Sequence, residues 1–210
     1  VRRAVAVLGV VAVLAGSGVA IASWGVGGSG SARARAGAWC TSGSATVVAN
    51  ADTYVRSGSV NQNNGSAGTF QAQAESGDNN RALLRFPLPT IPPGCSLTQA
   101  TIVLVRSSFS GATAPALQSY VLSGAFVESS VTWANCTGGA GCGTTGSAFA
   151  FTGGATTTWS PTAQVATLYQ NGNTGLMIRY ATEGGSTQRY AWVSREGTAA
   201  NRPRLTIWWA

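Results

Sequence analysis

The chain has 210 residues and contains neither histidine nor lysine. Without histidine there is no ordinary general base near neutral pH, no imidazole metal ligand and no Ser–His or Cys–His nucleophile pair. Without lysine there is no Schiff-base chemistry either. Charge is scarce, at 9% of residues, and the six acids stand far apart in the sequence at Asp52, Glu75, Asp78, Glu128, Glu183 and Glu196. No spacing among them marks a paired acid and base of the glycosidase kind. The composition points away from an enzyme.

The 28 glycines, the many Ser and Thr, and the frequent β-branched residues suit strands joined by turns better than charged surface helices. Every cation is an arginine, and the net charge is +7. Four of those arginines (Arg2, Arg3, Arg33 and Arg35) precede the body, which leaves it about +3 and gives no nucleic-acid footprint.

Arg2 and Arg3 lead into an apolar run over residues 4–15, then Gly16-Ser17-Gly18 and Ala20-Ile21-Ala22. A basic start, an apolar core and an A-x-A site form a secretory signal pattern, which assigns residues 1–22 to a signal peptide. The apolar stretch continues to Val26, close to membrane-spanning length, so an uncleaved anchor ending near residue 26 is the alternative. Both readings place the body outside the cell, secreted or at the surface. Residues 23–44 read as a flexible linker and 45–210 as the folded body.

Export fits the four cysteines, Cys40, Cys95, Cys136 and Cys142, which form disulfides in an oxidising compartment. Three connectivities are open, of which the local pair Cys136–Cys142 with the long pair Cys40–Cys95 is preferred. The Thr137–Gly141 spacer is too glycine-rich to hold its own shape. A zinc site is disfavoured without histidine.

Along the body, short apolar segments alternate with Gly, Asn and Pro punctuation. Strands are predicted at Thr46–Ala49, Thr53–Val55, Phe70–Ala74, Arg81–Phe86, Ala100–Val105, Gln118–Leu122, Ser130–Trp133, Leu176–Tyr180, Arg189–Ser194 and Arg204–Trp209. Period-two alternation puts Ala82, Leu84 and Phe86 toward the core and Arg81, Leu83 and Arg85 on the other side. Residues 162–169 are predicted as a short helix stopped by Asn171-Gly172-Asn173. The expected fold is all-β, a single antiparallel β-sandwich behind an apolar leader.

The pieces Ala51-Asp52-Thr53-Tyr54-Val55, Asn64-Gly65, Arg81-Ala82-Leu83-Leu84-Arg85-Phe86 and Ala100-Thr101-Ile102-Val103-Leu104 are followed by Val131-Thr132-Trp133, Gly175-Leu176, Ser194-Arg195-Glu196 and Arg202-Pro203-Arg204-Leu205. In this order they resemble the DNRLRE domain family. The resemblance implies a jelly-roll-like sandwich of secreted bacterial and archaeal proteins, found beside polysaccharide-degrading or wall-associated modules, some members binding acidic polysaccharides such as alginate. The chain departs from that pattern at Ala134-Asn135-Cys136, where the family continues with Asn and Pro, and in its cysteine loop.

Arg81, Arg85, Arg106, Arg179, Arg189 and Arg195 are the candidate contacts for an anionic glycan, since a guanidinium fork fits a carboxylate or sulfate. The bland reading keeps the arginines on strands as solvated surface, and gives Arg195 and Glu196 the task of closing the last hairpin. Trp133 and Trp192 are expected in the core. Trp208, opposite in side to Leu205, Ile207 and Trp209, is the candidate stacking surface for a sugar. Asp52 with Glu196 or Glu183 is a candidate pair for structural Ca²⁺, without a D-x-D-x-D-G loop. No other cofactor is expected.

The function expected is a non-catalytic carbohydrate-binding module for acidic polysaccharide or cell-wall glycan, with envelope proteins as further partners and membrane contact only through the leader. The alternative is a structural or adhesion module of the envelope without a glycan ligand.

Overall fold

The computed structural model describes residues 39–136, 141–185 and 187–210. The expected signal peptide or anchor, and the linker up to residue 38, lie outside the described residues. Among the described residues the chain forms strands β1 (Gly43–Val48), β2 (Ala51–Arg56), β3 (Thr69–Ala74), β4 (Asn80–Arg85), β5 (Leu97–Ser110), β6 (Ala116–Leu122), β7 (Thr144–Thr152), β8 (Thr156–Trp159), helix α1 (Thr162–Gln170), β9 (Leu176–Tyr180), β10 (Gln188–Val193) and β11 (Arg204–Trp209).

The strands pair antiparallel in the order β1-β11-β5-β10-β3-β4-β9-β6-β7, with β2 added to β4 and β8 to β5. The 14-residue strand β5 closes the fold. Its first part pairs with β11 and β8, and the segment from Arg106 to Ser110 pairs with β10. One strand thus passes from one layer to the other and curls the sheet over itself. The all-β, antiparallel sandwich expected from the composition is the fold observed.

Alternation decides which residues fill the space between the layers. Ala82, Leu84 and Phe86, Ala100, Ile102 and Leu104, and Leu205 and Ile207 are all buried there. Phe70, Tyr190 and Trp192 form the aromatic centre, with the Trp192 ring centroid 5.4 Å from Phe70 and 5.5 Å from Tyr190. The Trp192 indole N–H donates to Thr157 Oγ1 at 3.2 Å, so its one polar atom is satisfied. Each such fully buried large side chain contributes about 1.5–3 kcal/mol.

Strand β4 is buried on both sides. Leu83, on the side opposite Leu84, is as inaccessible as Leu84 and packs with Ala51, Val55, Met177, Leu122 and Phe126 in a second cluster. Its cover comes from the connection between β6 and β7, through the described residues 123–136 and 141–143, joined by the Cys136–Cys142 disulfide. The other disulfide joins Cys40 to Cys95, the connectivity preferred from the sequence.

Two expectations are corrected in this cover. Ser130–Trp133 is a turn, because Asn135 takes its backbone groups: Thr132 N–H donates to Asn135 Oδ1 at 2.7 Å and Asn135 Nδ2 donates to Ser130 O at 2.9 Å. Side-chain hydrogen bonds of this kind compete with a strand ladder. Trp133 is half-buried at the edge of the second cluster and outside the central core.

The short helix forms as expected. Val165 and Leu168 enter the core, while buried Gln164 accepts from Ser119 Oγ at 2.7 Å and donates to Ser119 O at 2.8 Å. Strands β7 and β8 were not foreseen. In β7, Thr144–Thr152, only Phe149 and Phe151 are partly buried, so the sequence carries little alternation of hydrophobicity.

The two disulfides close loops of different length, with separations of 55 and 6 residues. On chain entropy, C40A/C95A is expected to lower unfolding free energy by about 4 kcal/mol and C136A/C142A by about 2 kcal/mol. Denaturant titration of the two double variants checks this, and equal or reversed losses would contradict it.

Candidate functional site

Strand register assembles a polar patch on the outer face. Leu83 lies opposite Met177, and Met177 opposite Tyr120, giving an apolar row across β4, β9 and β6. One step of the same face further along stand Arg81 on β4, Arg179 on β9 and, opposite Arg179, Gln118 on β6.

Glu183, just beyond β9, holds the two arginines together. Arg81 donates through Nε to Oε1 at 2.9 Å and through Nη2 to Oε2 at 2.8 Å, a bidentate pair. Arg179 Nη1 donates to Oε2 at 3.4 Å. Arg179 Nη2 donates to Tyr120 Oη at 2.8 Å, and Tyr120 Oη donates to Gln118 Oε1 at 2.6 Å. Both guanidinium groups also lie over aromatic rings: Arg81 is 4.7 Å from the Trp133 centroid and Arg179 is 4.8 Å from the Tyr120 centroid.

The disulfide loop completes this arrangement. Arg81 Nη1 donates to Gly141 O at 3.1 Å. Gly141 has φ +78°, and a Cβ there would come within 2.8 Å of the Trp133 ring, so the close approach of loop and indole requires glycine. Two guanidinium groups against one carboxylate leave one net positive charge, and Arg179, with 30% of its side chain exposed against 15% for Arg81, is the more accessible.

The other candidates do not join this patch. Arg85 donates to Phe126 O at 3.2 Å and rests on the Phe126 ring, holding the cover of the second cluster. Arg106 lies 4.6 Å from the Phe109 centroid and donates to Tyr190 Oη at 3.5 Å. Arg189 is exposed on β10. Trp208 is half-buried on β11, between Ser44 of β1 and Gln99 of β5.

Arg195 belongs to a second cluster, around Asp52. Its backbone N–H donates to Asp52 Oδ2 at 2.8 Å, its side chain pairs with Glu128 Oε2 at 2.7 Å, and its Nε lies 2.9 Å from Glu196 Oε1. Asp52 N–H donates to Glu128 Oε1 at 2.9 Å. One carboxylate oxygen from each of Asp52, Glu128 and Glu196 lies within 4.8 Å of the other two, and these are the residues that could hold a metal ion. Glu183, the other partner considered for Asp52, is engaged at the arginine patch instead. Glu128 was missed because it lies 76 residues from Asp52, and only the folded connection brings it there. Gly65 permits the approach, since a Cβ would fall 2.2 Å from Glu128 O.

Asp52 is 2% exposed and its Oδ1 takes no hydrogen bond. Burial, reinforced by the charges of Glu196 and Glu128 and opposed by the Arg195 N–H, pushes its carboxyl from 3.8 up to about 7.

The profile of carbohydrate-binding module family 96 matches residues 43–208, a span that holds both clusters. No curated protein matches the chain. The match supports the carbohydrate-binding part of the resemblance drawn from the sequence.

A raised carboxyl means that the folded state binds the Asp52 proton more tightly than the unfolded state does. The stabilisation is full below about pH 4 and is lost as pH rises to about 7 and beyond, by about 4 kcal/mol over that interval. Asp78, held below its usual range by the Arg56 hydrogen bonds, changes stability only at the acid end of this window. Denaturant titrations from pH 4.5 to 8 in metal-free buffer are expected to show the fall in the native chain and a flatter profile in Asp52→Asn.

Proposed function

The chain belongs to carbohydrate-binding module family 96, and from that premise we propose that it is a secreted, non-catalytic module that holds an acidic polysaccharide on the patch of Arg81, Arg179, Tyr120 and Trp133. The observation that carries the reading is the pair of guanidinium groups sharing the one carboxylate of Glu183 beside two half-buried aromatic rings. A pyranose lays its C–H face on such a ring, while a uronate carboxylate meets the fork of Arg179. Family resemblance to DNRLRE domains, with their alginate-binding members, favours the same ligand class.

The acids support a binding role without chemistry. Glu183 is tied to two arginines, Asp78 to Arg56, and Glu128 and Glu196 to Arg195. Glu75 accepts from Gln73 and Thr187. A glycosidase acid and its partner carboxylate must face one another across open space; these five face cations, an amide or a hydroxyl, and the sixth acid, Asp52, is 2% exposed and faces no open space. Two disulfides accord with an oxidising, extracellular setting.

Affinity electrophoresis of the oxidised protein in gels containing alginate, pectate or a neutral glucan tests the proposal. Retardation by the uronate polymers, weakened by salt, is expected. Arg179→Ala is expected to lower apparent affinity about tenfold, the loss of one charge-assisted hydrogen-bonding group. Trp133→Ala should weaken binding as well, and Arg189→Ala, an exposed charge away from the patch, should leave it unchanged. No retardation by any polymer would favour the structural or adhesion role instead.

A further inference from the structure

We propose that Asp52, Glu128 and Glu196 bind one divalent, hard cation, Ca²⁺, at a site separate from the glycan patch. Ca²⁺ binds oxygen at about 2.3–2.6 Å, so two ligands of one ion stand at most about 5 Å apart. The three carboxylates offer oxygens that all lie within 4.8 Å of one another and therefore reach a common ion.

Asp52 supplies a second, separate observation. It is 2% exposed, one of its oxygens accepts the Arg195 N–H, and the other, Oδ1, is out of contact with water and has no donor. A buried carboxylate oxygen without a donor is costly, and a cation held jointly with the neighbouring glutamates removes the deficit. Charge leads to the same ion. Glu128 and Glu196 pair with the guanidinium of Arg195, while Asp52 meets only its backbone N–H. Once Asp52 gives up its proton as the ion binds, three carboxylates against one guanidinium leave two negative charges for two positive ones.

The ligand chemistry selects within the divalent ions. An all-oxygen set without His or thiolate fits Ca²⁺ or Mg²⁺ rather than zinc or copper, and a site already crowded by a guanidinium suits the irregular, expandable shell of Ca²⁺ better than the octahedron of Mg²⁺. A cavity of about 280 Å³ lined by Asn63, Gly65, Ser66, Glu128, Ser129 and Arg195 opens beside it and admits the waters that complete six to eight ligands. The ion would join β2, the disulfide-held connection and the turn after β10, three segments brought together only in the folded chain.

Calcium chloride titrated into the chelator-treated, oxidised full chain gives the test, read by calorimetry and by thermal unfolding without any glycan present. The expected result is one site with Kd on the order of 10⁻³ M or tighter, and a Tm raised by about 5 °C at saturation. Asp52→Asn keeps an acceptor for the Arg195 N–H and should lose the response, as should Glu196→Gln, which lies nearer the surface and guards against a folding defect in the first variant. No heat and no Tm change up to about 10 mM Ca²⁺, or a response that persists in both variants, would overturn the proposal.

Discussion

Strands β4 and β9 bury apolar side chains on both faces, so the inner layer of the sandwich cannot be their only cover. Leu84 and Ile178 enter the main core while Leu83 and Met177 point outward. Left in water, those two side chains and their neighbours would forfeit several kcal/mol of burial. The described parts of the β6–β7 connection, residues 123–136 and 141–143, take the place of a second sheet there. Phe126, Val131 and the two cysteines of the short disulfide supply its apolar underside. A segment with so little regular structure of its own depends on that clip and on Asn135 for its shape.

Both polar clusters follow from the same cover. Trp133 rides on it to meet Arg81, and Glu128 rides on it to meet Asp52 and Arg195. Two of the arginines that border the second core are paired locally with acids: Arg81 with Glu183, and Arg195 with Glu128 and Glu196. Partly buried charges need such partners, since unpaired ones are costly to remove from water. The two clusters have opposite remainders. The Arg81–Arg179 patch keeps one positive charge after pairing, and the Asp52 cluster keeps negative charge, which disposes the first toward anions and the second toward protons or cations.

The parts of the fold governed by local pattern were legible in the sequence. Alternation identified the inward residues of β4, β5 and β11, the glycine-rich spacer favoured the local disulfide, and Asn171-Gly172 marked the end of α1. What escaped depends on distant partners. β7 offers almost no hydrophobic rhythm, because Ala, Ser and Gly stand where core residues would mark a strand. Leu83 reads as the exposed face of a two-faced strand until the cover is in place. The arginines could be named as a set, but their division depended on register: Arg81 meets Arg179 across β4 and β9, whereas Arg85, four residues further along, holds the Phe126 loop. Glu183 and Glu128 carry no local signal, being single acids in loops whose partners lie 102 and 76 residues away.

The central claim is that glycan is held where cation–aromatic pairs meet on the outer face of β4, β9 and β6. Side-chain NMR of the oxidised protein titrated with a short oligouronate addresses it directly. The account predicts that the indole N–H of Trp133 and the Nε–H signals of Arg81 and Arg179 shift together and saturably, while that of Trp208 stays in place. Saturable shifts at Trp208 or Arg106, with Trp133 and Arg179 unmoved, would contradict it.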